Sequence, residues 1–274
     1  MTVEKPFFFD REQLLSVADR HRERYQRAEP FPHVVIDDFL PAEVLDRVLE
    51  EFPSKDDPVW ARYKNPAEKK LGNNTEALMG PLARHLLAQF NSAPLCEFLE
   101  RLTGIEGIIS DPYFWGGGQH QIVRGGFLKM HSDFNWHAKL KLDRRINLLL
   151  YLNKDWPEAF GGYLELWDKE MKACVQKIAP LFNRIVVFNT TSTSYHGHPE
   201  PLTCPEDRSR KSLALYYYTA GRPADEKKES HTTLFQERPG EDLSSYGREP
   251  LTAKTVLKKL LPPIVFDVIR LIRK

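Results

Sequence analysis

At 274 residues, with 41% hydrophobic and 28% charged residues and a formal net charge of +1, the chain has the make-up of a soluble globular protein, long enough for one large domain and a small appendage. Its balanced charge gives no electrostatic footprint for nucleic acid, so a nucleic-acid partner is not expected. The three cysteines, Cys96, Cys174 and Cys204, are widely spaced and fit no metal-ligand pattern, which predicts free thiols in a reducing compartment. The aromatic run Phe7–Phe9 is too short for a signal peptide, and a cytoplasmic location is the expectation.

Taken in order, the chain first predicts a charged surface helix from Asp10, its cap, to Ala28, packed outside the core. Phe31 to Leu40 reads as a β-branched strand, with His33 at an edge or structural position, and Pro41 opens a helix through Glu51. A polar loop is expected from Pro53 to Gly80. Pro81 to Leu102 then reads as two amphipathic helices broken near Ser92-Ala93-Pro94, with apolar faces suited to covering a sheet. Beyond Gly104 the texture changes to short β-type runs: Gly118 to Lys129, Arg145 to Asn153, Tyr163 to Trp167, Ala173 to Ile178, Arg184 to Asn189 and Lys211 to Thr219. Short connections without long helices predict an antiparallel sandwich or jelly roll rather than a doubly wound sheet.

The tail is different in character. Gly221 to Pro250 is charged and turn-rich, and is expected to leave the barrel as an extended segment in which His231 is exposed or structural. Thr252 to Lys274 has amphipathic helical spacing interrupted at Pro262-Pro263. It is too short and too charged to be a transmembrane segment, and is expected to dock on the protein or a second copy, with a peripheral membrane contact as the alternative.

Chemistry enters with His131-Ser132-Asp133. A His and an Asp two apart at a strand end point the same way, and two imidazoles with one carboxylate suit a non-haem iron that keeps adjacent positions open. A lone His-x-Asp is a weak signal; it needs a distant third donor. Two candidates follow the turn after the strand Arg184 to Asn189, namely His196 and His198. Farther on, period two puts Arg210, Ser212, Ala214 and Tyr216 on one face of a strand. An inward arginine is costly unless it meets an anion, and its planar fork suits a carboxylate. On the strand Arg145 to Asn153, Asn147, Leu149 and Tyr151 share one side against Ile146, Leu148, Leu150 and Leu152. Gly161-Gly162 is a turn, or a place where another strand or a ligand comes close. His137, between Trp136 and Lys139, reads as a loop or substrate-facing residue without metal.

The order His131-x-Asp133, Tyr151-Leu152-Asn153, Gly161-Gly162, His196 and Arg210-x-Ser212 resembles the iron(II)/2-oxoglutarate-dependent dioxygenases, particularly the prolyl 4-hydroxylase-like branch, over roughly residues 105 to 220. The resemblance implies an all-β core with flanking helices (α+β): a double-stranded β-helix supported by N-terminal helices over 1–222, followed by a charged linker and amphipathic helix over 223–274. It implies His131, Asp133 and His196 as the catalytic metal triad, with His196 preferred to His198. Arg210 would grip the distal carboxylate of 2-oxoglutarate, Tyr151 and Ser212 would share it, and Asn147 and Leu164 would wall the pocket. The implied cofactors are Fe(II), 2-oxoglutarate and dioxygen, with ascorbate as a candidate auxiliary. The implied reaction is hydroxylation of an unactivated C–H bond, with a prolyl residue of a protein or peptide first among substrates. A small molecule or glycan, and a non-catalytic jelly-roll metal-binding scaffold, are the alternatives; retention of Asp133 disfavours a halogenase. Two departures stand out: a proline-rich stretch between His196 and Arg210, and Gln119 and Gln121 where the branch often has a tyrosine. The loops around Trp136 and His137 and from Pro199 to Asp207 are expected to line the entrance.

Overall fold

The computed structural model describes residues 8–224 and 226–241, so the expectation for residues 252–274 lies outside the described residues. The described elements belong to the first of two compact units, Met1–Pro239. In chain order they are α1 (Arg11–Gln26), β1 (His33–Ile36), α2 (Ala42–Glu50), β2 (Ala61–Asn65), β3 (Glu68–Asn73), α3 (Pro81–Phe90) and α4 (Ala93–Thr103). The β-rich part follows as β4 (Ile109–Ser110), β5 (Gly118–Val123), β6 (Phe127–Ser132), β7 (Trp136–His137), β8 (Leu142–Tyr151), β9 (Leu164–Trp167) and β10 (Cys174–Ile178). It closes with β11 (Arg184–Asn189), β12 (His196–His198), β13 (Ser209–Thr219) and β14 (Leu234–Phe235).

The strands form an antiparallel jelly roll, a double-stranded β-helix flanked by helices. Their path is β1-β11-β8-β13-β5-β3-β6-β12-β9-β10, with β14 added beside β6. Alternation explains the layers. Ile146, Leu148 and Leu150 of β8, Ile185 and Val187 of β11, and Leu213, Leu215 and Tyr217 of β13 face the helices and join one core with Leu86, Phe90, Phe98 and Leu102. Each such side chain contributes about 1.5–3 kcal/mol by leaving water. The opposite faces of β8 and β11 bring Tyr151, Val186 and Phe188 against Leu164, Leu166 and Ile178, which holds the two walls of the roll together.

Several local expectations hold. Asp10 caps α1 by accepting from the backbone N–H of Gln13 at 2.9 Å, Pro41 precedes α2, and the α3–α4 break falls at Ser92. His33 sits on the edge strand β1, its Nδ1 against Phe31 O. The cysteines are unpaired. Other expectations do not hold. The single run Gly118 to Lys129 is broken by a turn at 124–126 into β5 and β6, both of which pair with β3 and not with each other, because Gly125 takes a positive φ and Gly126 leaves no room for a Cβ beside Ile122 and Lys69. The polar loop Pro53 to Gly80 contains the β2–β3 hairpin, whose outer strand is exposed throughout and so carries no apolar alternation. The first helix is not external to the core, since Leu14, Ala18 and Tyr25 are buried in it. The segment after Gly221 turns back instead of leaving: Gln236 donates to Met130 O and Leu234 and Phe235 pair with β6. No helix among the described residues is long and apolar enough to cross a membrane.

Candidate active site

The antiparallel register of β12 on β6 sets His196 directly opposite His131, which is how residues far apart in sequence meet. Their rings lie 4.4 Å apart, and Asp133, one residue past β6, completes the group. The Nε2 of His131 is 3.6 Å from Asp133 Oδ1, and that of His196 is 3.4 Å from Asp133 Oδ2. Among the described residues, these three form the one His/Cys/Asp/Glu group able to hold a metal ion, with donor atoms within 4.8 Å of one another. His198 is outside it.

The donor set fits a metal. Each imidazole has Nδ1 at the backbone carbonyl two residues before it, His131 at 2.8 Å from Lys129 O and His196 at 2.9 Å from Ser194 O, so the Nε2 lone pairs face inward. Facial ligands with bonds of about 2.1 Å stand about 3 Å apart, close to the gaps seen here. Burial, and then the neighbouring His131, push His196 down to about 4. For Asp133, burial alone would raise the carboxyl, but Arg144 and the two histidines outweigh it and hold the group well below the usual carboxylate range. A neutral His196 and an ionised Asp133 are the protonation states a metal requires of them.

The same cavity, about 300 Å³ in volume, also holds Arg210, Ser212, Asn147 and Leu164. Arg210 is 5% exposed, donating from Nε to Gly162 O at 2.8 Å and from Nη2 to Tyr151 Oη at 3.1 Å. No carboxylate of the described residues pairs with it. A buried guanidinium without a counter-ion is costly, so an anionic ligand fits this position. Gly162 is needed for the approach: a Cβ there would lie 2.5 Å from Leu202 Cδ2 and 3.0 Å from Arg210 Cδ. Tyr151 reaches the cavity only through Arg210.

Asn147 has a different neighbour from the one expected. Besides lining the cavity, it donates to Asp133 Oδ2 at 2.7 Å and accepts from Arg144, a residue the sequence reading passed over. Between β13 and β8 the register slips at Tyr217/Tyr218, so that Tyr217 faces Ile146 while Tyr218 faces Arg144. That bulge at Arg145 turns Arg144 to the inner face, against the period-two expectation. Gln119 and Gln121 point away, to Asn73 and Ser209, and His120 faces the cavity in their place. Burial and then Lys70 push His120 down to about 3. His198 also lines the cavity, with neither ring nitrogen partnered.

The entrance is not where it was expected. Trp136, His137 and Pro199 to Asp207 do not line the cavity; Tyr63 and Lys70 of the β2–β3 hairpin, Trp115, Thr233 and Phe235 do. His137 is buried with its Nε2 3.6 Å from Asp111 Oδ1, and His231 is tied to Ser192. The missed hairpin and the returning tail explain both errors, since each brings in residues from outside the patterned block.

Residues 118–218 match the 2OG-Fe(II) oxygenase superfamily. The matched span takes in His131, Asp133, His196 and Arg210. This span is similar to a 2OG-Fe(II) oxygenase domain. The chain is 26% identical over 198 residues to the mouse prolyl 3-hydroxylase OGFOD1, a match covering 69% of this chain but 33% of that longer protein. Its fold is similar to that of a Pseudomonas putida prolyl-4-hydroxylase, with 17% identity and a TM-score of 0.51 over 76% of this chain and 100% of that one. It is also similar to a Trichoplax adhaerens prolyl hydroxylase solved with a hypoxia inducible factor peptide, with 17% identity and a TM-score of 0.54 over 76% of this chain and 91% of that one.

Proposed function

We propose that this protein is an Fe(II)- and 2-oxoglutarate-dependent hydroxylase acting on a prolyl residue of a protein or peptide. The observation that carries this reading is the placement, in one cavity, of the His131-Asp133-His196 donor set and a buried arginine without a counter-ion. A metal-binding scaffold has no need of Arg210. In this reading His131, Asp133 and His196 hold the iron. Arg210, oriented by Tyr151 Oη and Gly162 O, takes the distal carboxylate of 2-oxoglutarate, with Ser212 beside it, while Asn147 and Leu164 wall the pocket. When bound, iron with 2-oxoglutarate and dioxygen supplies oxidative decarboxylation to succinate coupled to C–H hydroxylation, with ascorbate an auxiliary reductant.

What the chain supplies is orientation and dryness. His131 and His196 are almost wholly buried, and Phe188 and Phe235 pack on their rings at 4.8 and 5.7 Å, which keeps bulk water from the metal. The substrate would approach between Tyr63, Trp115 and Phe235, where aromatic faces suit a proline ring. A peptidyl substrate is supported by the prolyl hydroxylases among the relatives. The test is iron-dependent succinate formation with a proline-containing peptide, read with mass spectrometry for the gain of one oxygen. Activity should vanish in His131→Ala and Asp133→Ala; full activity in either variant would sink the assignment.

A further inference from the structure

The two oxygens of Asp133 are not equivalent. Each faces one histidine, Oδ1 the Nε2 of His131 at 3.6 Å and Oδ2 that of His196 at 3.4 Å, but Oδ2 accepts from Arg144 Nη2 at 2.9 Å and from Asn147 Nδ2 at 2.7 Å, whereas Oδ1 accepts no hydrogen bond. Arg144 is itself immobilised. Its guanidinium lies 3.4 Å from the Tyr216 ring centroid and 4.4 Å from that of Phe134, and its Nε and Nη2 both donate to Asn147 Oδ1, at 3.0 and 2.7 Å. Asn147 therefore closes a three-membered ring of hydrogen bonds: its oxygen takes the arginine, and its amide hydrogens and the arginine share one carboxylate oxygen. The side chain of Arg144 is 1% exposed.

We infer that Arg144 and Asn147 are positioning residues that hold Asp133 by Oδ2 and leave Oδ1 as the single oxygen offered to the metal. This rests on the proposed iron site. The physical reason is rotational. Asp133 follows β6 and lacks the strand ladder's support, so rotation about its terminal torsion would interchange the oxygens or present both at once. A carboxylate binding through both oxygens would occupy a coordination position that this chemistry keeps open. Two donors on one oxygen prevent that rotation, and the two aromatic rings prevent the donors from moving. The arrangement also accounts for a fully buried cation beside a metal site: its charge is matched by Asp133, and its flat faces are covered by rings rather than water.

The test separates geometry from charge by Co(II) titration, without oxygen and without turnover, read by ligand-field absorption, with near-ultraviolet circular dichroism as a check of folding. Asn147→Leu keeps the bulk but removes one donor, and Arg144→Lys keeps the charge but not the fork. Each is expected to weaken Co(II) binding by about 10–100-fold, the usual loss for a partner of a metal ligand. Asn147→Leu leaves the Arg144–Asp133 pair in place and keeps the test decisive if the arginine variant fails to fold. Wild-type affinity in Asn147→Leu, or in a folded Arg144→Lys, overturns the inference while the metal reading stands. Failure of the wild-type protein to bind Co(II), or undiminished binding in His131→Ala, overturns the metal reading and the inference with it.

Discussion

Replacing Arg210 by methionine should uncouple cosubstrate affinity from stability, because affinity depends strongly on this side chain and net stability hardly at all. Methionine has similar length and no charge. In the binding reaction the change removes the fork that would hold the distal carboxylate; two charge-assisted hydrogen bonds are worth about 1.5–3 kcal/mol each, so 2-oxoglutarate should bind roughly 100-fold or more weakly. In folding, the change deletes a buried cation that no carboxylate of the described residues balances, a gain of several kcal/mol. It also strands Gly162 O and Tyr151 Oη, which now accept from Arg210 at 2.8 and 3.1 Å, at about 1–3 kcal/mol each. The two nearly offset. The assay is a pair of measurements: the KM for 2-oxoglutarate from succinate formation, and the melting temperature with Mn(II), with and without 2-oxoglutarate. Wild-type protein at 100 times its Kd should gain about 2.7 kcal/mol from the cosubstrate, and the variant almost nothing at the same concentration. A variant that keeps the wild-type KM but melts far lower would refute the reasoning and make Arg210 a structural residue.

Two further perturbations follow from the geometry. Gly162→Ala places a methyl at a φ of +74° and within 3.0 Å of Arg210 Cδ, so a loss of roughly 2–4 kcal/mol in urea unfolding is expected together with a raised KM for 2-oxoglutarate; unchanged values for both would count against the close approach. Acid should destabilise the metal-free protein partly through His120. Burial and Lys70 lower its folded value to about 3 from an unfolded 6.5, so between these limits the unfolded chain takes up a proton that the native state refuses, and stability falls as pH falls. From pH about 6.5 to about 4.5 this amounts to on the order of 2 kcal/mol. His120→Gln should flatten that part of the urea-unfolding profile, and an unaltered slope would show that the imidazole is not held neutral.

Arg144 marks the boundary between what the sequence determined and what the tertiary structure decided. Wherever local periodicity is unbroken, the order of residues was enough: helix starts at Asp10 and Pro41, the apolar outer face of β8, and the inward face bearing Arg210 and Ser212 all follow from geometry that each segment carries within itself. The His-x-Asp, distal His and Arg spacing likewise pointed to one chemistry because its donors are fixed by what iron and a dicarboxylate need. The entrance was not legible, since the β2–β3 hairpin is exposed on its outer strand and the tail returns to β6 through backbone pairing that leaves little trace in side-chain pattern. Nor was the support of Asp133. A bulge at Arg145 reverses the parity of the next residue, and only the pairing of β8 with β13 reveals that Arg144 is turned inward to meet Asn147 and the carboxylate.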